Sequence, residues 1–175
     1  MRVVAGEFRG RRLRAPAGRA TRPTADRVRE ALFSILGPLD GVRVLDLFAG
    51  SGALGIEALS RGAEAAVFVD SDARAVAAIE RNLEALGAHA AVYRRDALAY
   101  LRHGEGGPFG LVFLDPPYSS ASDLAGPLSE RLPAVLTPDA LIVSESDKRH
   151  PLELILPLAD ERVYGDTRIA IHRAA

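Results

Sequence analysis

A chain of 175 residues is long enough for one domain with a substantial core and too short to hold a catalytic domain beside a separate nucleotide-binding one. It contains no cysteine, which excludes disulfides, thiolate metal sites and nucleophilic catalysis through a thiol. The net charge of −1 hides a segregation, because residues 1–30 hold nine arginines against Glu7, Asp26 and Glu30, while the other 145 residues carry 13 basic and 20 acidic side chains.

Residues 2–14 read as two short β-prone pieces broken at Gly6 and Gly10, a small hairpin with Arg2, Arg9, Arg11, Arg12 and Arg14 along it. A basic arm at 1–20 on an acidic body at 21–175 points to a polyanion partner, since phosphate contacts supply most nucleic-acid affinity. The preference for arginine over lysine runs through the whole chain, Lys148 being the single lysine, and reflects composition rather than binding. Pro16, Gly18 and Pro23 keep the next segment irregular. Thr24 then caps a helix with Val28, Leu32, Ile35 and Leu36 on one face and Arg27 on the polar side, ending near Gly37-Pro38. No apolar stretch reaches membrane-spanning length and no hydrophobic region follows the N-terminal arginines, so a cytoplasmic protein is expected.

An apolar run at 42–47 stops at Ala49-Gly50-Ser51-Gly52, and a helical pattern (Leu54, Ile56, Ala58, Leu59) follows at once. This is strand, tight glycine turn, helix. Such a turn lets a ligand approach the backbone and aims the N–H groups of a helix start at a polar group. Gly50, Gly52 and Gly55 fit the G-x-G-x-x-G pattern of dinucleotide folds, yet Asp46 at the strand end would repel a pyrophosphate and suits the aminoacyl end of S-adenosylmethionine better. The competing reading is that Asp46 only caps the helix.

Further strands at 63–70, 90–96 and 109–115 also end on acids, Asp70, Asp96 and Asp115, with helices predicted at 72–86, closed by Gly87, and at 97–102. The carboxyl ends of parallel strands share one edge, where such sheets bind ligands, so four acids in register define a rim. Independent helix caps are the alternative. A helix at 121–134, a strand at 140–145 and a hairpin around Gly165-Asp166 complete a mostly parallel, seven-stranded α/β sheet with helices on both faces.

Asp115-Pro116-Pro117-Tyr118 is the most specific short motif. The prolines stiffen the loop, Asp115 and the Pro116 carbonyl offer two acceptors for an exocyclic amine, and Tyr118 can stack on a flat base. Holding both amine hydrogens favours the tetrahedral nitrogen needed for attack. A plain proline turn with a packing tyrosine is the bland alternative.

These motifs, with Arg-Val-Val-Ala-Gly-Glu-Phe-Arg-Gly-Arg-Arg-Leu at 2–13, the Thr-Arg-Pro-Thr stretch at 21–24 and Tyr-Gly-Asp-Thr-Arg at 164–168, resemble the RsmD family of the class I, Rossmann-like, S-adenosylmethionine-dependent methyltransferases. The resemblance implies methylation of the N2 amine of a guanine in small-subunit (16S) rRNA, inside an assembling 30S particle, by a monomer without a metal. It implies that Asp46, Phe48, Gly50 and Gly52 hold the methionine part of S-adenosylmethionine, Asp70 and Ser71 the ribose, and Asp96 and Ala97 the adenine. Asp115, Pro116, Pro117 and Tyr118 would take the target base, and Arg2, Arg9, Arg11, Arg12, Arg14, Arg22, Thr24 and Arg27 the RNA. An adenine-N6 methyltransferase, a nicotinamide-dependent oxidoreductase and a non-catalytic RNA-binding protein remain as competing readings.

Overall fold

The computed structural model describes residues 1–18 and 26–175. The elements are α1 (Asp26–Leu36), β1 (Arg43–Leu47), α2 (Ala53–Ser60), β2 (Ala65–Asp70), α3 (Ala73–Leu86), β3 (Ala91–Arg94), α4 (Ala97–His103), β4 (Phe109–Leu114), α5 (Ala121–Arg131), β5 (Leu136–Asp147), β6 (Leu158–Tyr164) and β7 (Thr167–Arg173). Among the described residues no helix is long and apolar enough to cross a membrane.

The seven strands lie in the order β3-β2-β1-β4-β5-β7-β6. β1 to β5 are parallel and the closing pair is antiparallel. Alternation along the strands feeds two cores. Val44, Phe68, Leu111, Phe113 and Val143 face Leu32, Phe33, Ile56, Ile79 and Leu83 of α1, α2 and α3. Leu45, Leu47, Val69, Val112, Leu114 and Ile142 face Tyr100, Leu101 and Leu128 of α4 and α5. Central strands covered on both faces explain why the runs at 42–47 and 109–115 read as continuously apolar.

Two elements differ most from the sequence reading. The helix expected over 121–134 stops at Arg131 and tightens into a 3-10 turn over Leu132–Val135, because Pro133 cannot continue the ladder of backbone bonds. β5 begins four residues before the expected 140 and runs to Asp147, since Leu136 pairs with Phe109 across a bulge and Asp147 pairs with Thr167. The segment expected as a hairpin does pair antiparallel, with Arg2 opposite Arg12, the Val3 N–H donating to the Arg11 carbonyl and the Leu13 N–H to the Met1 carbonyl, both at 2.9 Å, and it packs onto the body. Val3 and Leu13 enter the α1–α3 core, and the buried carboxylate of Glu57 accepts the Val4 and Ala5 N–H groups at 2.8 and 3.0 Å.

Candidate active site

Because β1 to β5 are parallel, Asp46, Asp70, Asp96 and Asp115 all come to the same edge of the sheet. The strand order reverses between β1 and β4, and in open α/β sheets the crevice that binds ligands lies at such a reversal, between the loops that follow the two strands. One loop is the glycine turn and the other is Asp115-Pro116-Pro117-Tyr118.

The glycine turn is held open by its backbone. Phe48, half-buried, sits at φ +71°, and its N–H and that of Ala49 both donate to the Val69 carbonyl at 3.0 Å. Gly50 follows at φ +59° and Gly52 at φ +80°, the latter ending the turn as the N-cap of α2. A Cβ on Gly50 would meet nothing within 4 Å, so this part of the turn faces open space, whereas a Cβ on Gly55 would fall 2.4 Å from the Phe68 ring. The first glycine borders open space and the third lets the sheet approach. Gly55→Ala should therefore destabilise the protein by about 1–3 kcal/mol despite the better helix propensity of alanine, as urea unfolding would register.

Asp46 departs from its expected place in the open crevice. It is 2% exposed, and its Oδ2 accepts the Gly55 N–H at 2.9 Å. Burial, only partly offset by that hydrogen bond and reinforced by Asp70, pushes its carboxyl up to about 7. The helix-cap reading of Asp46 thus describes what the fold does with it: the acid lies toward the carboxyl end of β1 and holds a backbone N–H in the first turn of α2. Asp70 braces the same turn, accepting the Gly50 N–H at 2.9 Å on one oxygen and the Asp72 N–H at 2.9 Å on the other. Ser71 beside it is exposed. Asp96 is exposed and caps α4 through the Ala99 N–H at 3.0 Å, and Ala97 is buried at the start of that helix.

Asp115 follows the last residue of β4 on the floor of the crevice. Solvent reaches it, yet protein atoms crowd its carboxyl, and loss of hydration first, then the negative charges of Glu145 and Asp46, push that carboxyl well above the usual carboxylate range. Pro116 is buried, and Pro117 is exposed with its carbonyl accepting the Ser120 N–H and hydroxyl at 3.0 and 2.9 Å. Tyr118 is 37% exposed, so solvent reaches part of its side chain. Glu145 escaped the sequence reading. It ends the fifth apolar run as the aspartates end the others, and the pattern of acid-tipped strands could have been followed one strand further.

The family model for conserved hypothetical protein 95 matches residues 1–173. The chain belongs to this family. It is 43% identical over 190 residues to YlbH of Bacillus subtilis (strain 168), covering 99% of this chain and 98% of the relative. It is 38% identical over 183 residues to the ribosomal RNA small subunit methyltransferase D of Escherichia coli (strain K12), covering 99% and 89%. The solved structure of yhhF from Escherichia coli superposes with a TM-score of 0.83 at 35% identity, over 99% of this chain and 97% of that one. A Thermus thermophilus 16S rRNA N2 G1207 methyltransferase, RsmC, solved with AdoMet and guanosine, gives 0.74 at 25% identity over 91% of this chain and 44% of that one. The fold is the class I, Rossmann-like methyltransferase fold.

In this member of the conserved hypothetical protein 95 family, the basic N-terminal segment buttresses the glycine turn. Asn82, buried on the apolar face of α3, accepts the Arg14 N–H at 2.8 Å and donates to the carbonyls of Arg14 at 3.0 Å and Ser51 at 2.9 Å. An asparagine within an apolar helical stripe is the signal that could have exposed this clamp. Arg29, also buried, reaches Asp26, the Arg2 carbonyl and Glu57. Of the arginines assigned to RNA, Arg9, Arg12, Arg14 and Arg27 are exposed, Arg2 pairs with Asp26 at 3.2 Å, and the exposed Arg11 donates to the Ala85 carbonyl. Arg22 and Thr24 lie outside the described residues. A groove of about 480 Å³ between Glu80 and Val92 opens at the opposite edge of the sheet, away from these loops.

Proposed function

We infer that this protein transfers a methyl group from S-adenosylmethionine to the exocyclic N2 amine of a guanine in small-subunit rRNA, acting in the cytoplasm as a monomer on an assembling 30S particle. The observation that carries this reading is the pairing, at one reversal of strand order, of an open glycine turn with an acid-Pro-Pro-Tyr step whose tyrosine is partly exposed. Full-length likeness to a small-subunit rRNA methyltransferase supports the substrate class, and likeness to an N2-guanine methyltransferase supports the base.

The residues fit the cofactor. The open space at Gly50 accommodates its methionine part, Asp70 retains lone pairs for ribose hydroxyls, and the start of α4 with Asp96 and Ala97 borders the adenine. When bound, S-adenosylmethionine supplies an electrophilic methyl group on a sulfonium. Asp46 acts through the turn, fixing its shape from below, and the rim of carboxylates favours a cationic ligand over an anionic dinucleotide. Asp115 and the Pro116 carbonyl accept the two amine hydrogens, Tyr118 stacks on the base, and Pro117 holds the loop stiff. On taking the methyl group that the bound cofactor would supply, the amine nitrogen would become cationic, and Asp115 would take the proton it then releases. A carboxylate pushed above its usual range is the better base for that last step. Catalysis comes from alignment, and the guanine must leave its stack to arrive. Arg9, Arg12, Arg14 and Arg27 supply exposed charge for phosphate contacts, with Arg2 and Arg11 beside them and Arg22 and Thr24 in the stretch before α1.

Incubating the protein with labelled cofactor and undermethylated 30S particles, followed by nucleoside mass spectrometry, should yield N2-methylguanosine. Methyladenosine as sole product would refute the choice of base. Tyr118→Ala should weaken binding of the RNA by about 1–3 kcal/mol in a filter-binding titration while leaving affinity for the cofactor unchanged.

A further inference from the structure

We propose that Glu145 makes the site read guanine, by accepting the N1–H of the target base while Asp115 and Pro116 hold its amine. The inference rests on the guanine reading above and deepens it. The pairing of Leu114 with Ser144 makes Asp115 and Glu145 neighbours on adjacent parallel strands at their carboxyl ends, and parallel strands lie about 4.8 Å apart. Alternation puts both side chains on the Phe113 and Val143 face of the sheet, the face that also carries Asp46. Glu145 is 7% exposed and close enough for its charge to act on Asp115.

Acceptors for an amine alone cannot tell the exocyclic amines of guanine, adenine and cytosine apart. The neighbouring ring nitrogen can. In guanine the amine adjoins N1–H, a donor, so one edge offers adjacent donors to a pair of adjacent carboxylates and relieves their mutual repulsion. In adenine and cytosine the amine adjoins a lone pair, which would face Glu145 with no proton between them, a loss a polar site does not tolerate cheaply.

The test uses 30S particles carrying, at the guanine that mass spectrometry identifies as methylated, either guanine or 2-aminopurine, which keeps the amine but has a lone pair at N1. The wild-type enzyme should prefer guanine by at least about tenfold in kcat/KM. Glu145→Gln, whose amide can donate to a lone pair, should lose activity on guanine and gain on 2-aminopurine, narrowing the preference at least about tenfold, with cofactor affinity by calorimetry unchanged. Equal wild-type rates on the two bases overturn the proposal without any variant, and so does a preference that Glu145→Gln leaves unaltered. If the wild-type enzyme methylates no guanine in the particle, the guanine reading fails first and the proposal falls with it.

Discussion

Asp115→Asn should lower kcat by about 10²–10³-fold while leaving the protein no less stable than wild type. The two effects separate because the carboxylate has opposite consequences for chemistry and for folding. It is the acceptor placed where charge develops on the amine, so a neutral amide, which offers one acceptor oxygen and a donor aimed at other donors, cannot replace it. In the unliganded fold the same group is crowded by protein and sits near Glu145 and Asp46, so removing its charge relieves repulsion. Single-turnover rates with saturating cofactor, beside thermal unfolding of both proteins, would check this. A variant that unfolds more readily and loses activity in proportion would show a structural residue rather than a catalytic one.

The stability of the unliganded protein should fall as pH rises from about 4 to about 7, and Asp46→Asn should remove much of that slope. The sign follows from proton counting. An acid whose pKa is raised on folding, here to about 7 from an ordinary 3.8, keeps its proton in the folded protein over a range where the unfolded chain has lost it. Raising the pH through that range favours unfolding, by up to roughly 4 kcal/mol for a shift of this size. Asp115 works in the same direction. Asparagine at 46 can still accept the Gly55 N–H, so the turn is retained while the titration is lost. Urea midpoints at pH 5 and pH 8 for the two proteins would measure it, and equal slopes would refute Asp46 as the source. A cationic cofactor should correspondingly bind more tightly as pH rises over the same interval.

The alternation of apolar runs with acids made the sheet legible, because buried parallel strands need long apolar stretches and their ends need polar groups. The same logic placed Gly50 and Asp115 at the crevice. What remained hidden depends on which way a side chain turns. Asp46 and Asp115 are alike in sequence, both acids at strand ends, yet one serves a backbone N–H beneath a helix and the other lies on an open floor. The N-terminal arginines read as an arm because charge is visible in a sequence, whereas the hold of Glu57 and Asn82 on residues 4, 5 and 14 joins parts of the chain more than fifty residues apart.

That hold orders events during synthesis. Residues 4, 5 and 14 are synthesised before the carboxylate and the amide that receive them, which belong to α2 and α3, so this segment must wait for those partners until residue 82 has emerged. A translating ribosome thus exposes a short arginine-rich segment to its own anionic surface before that segment has a home.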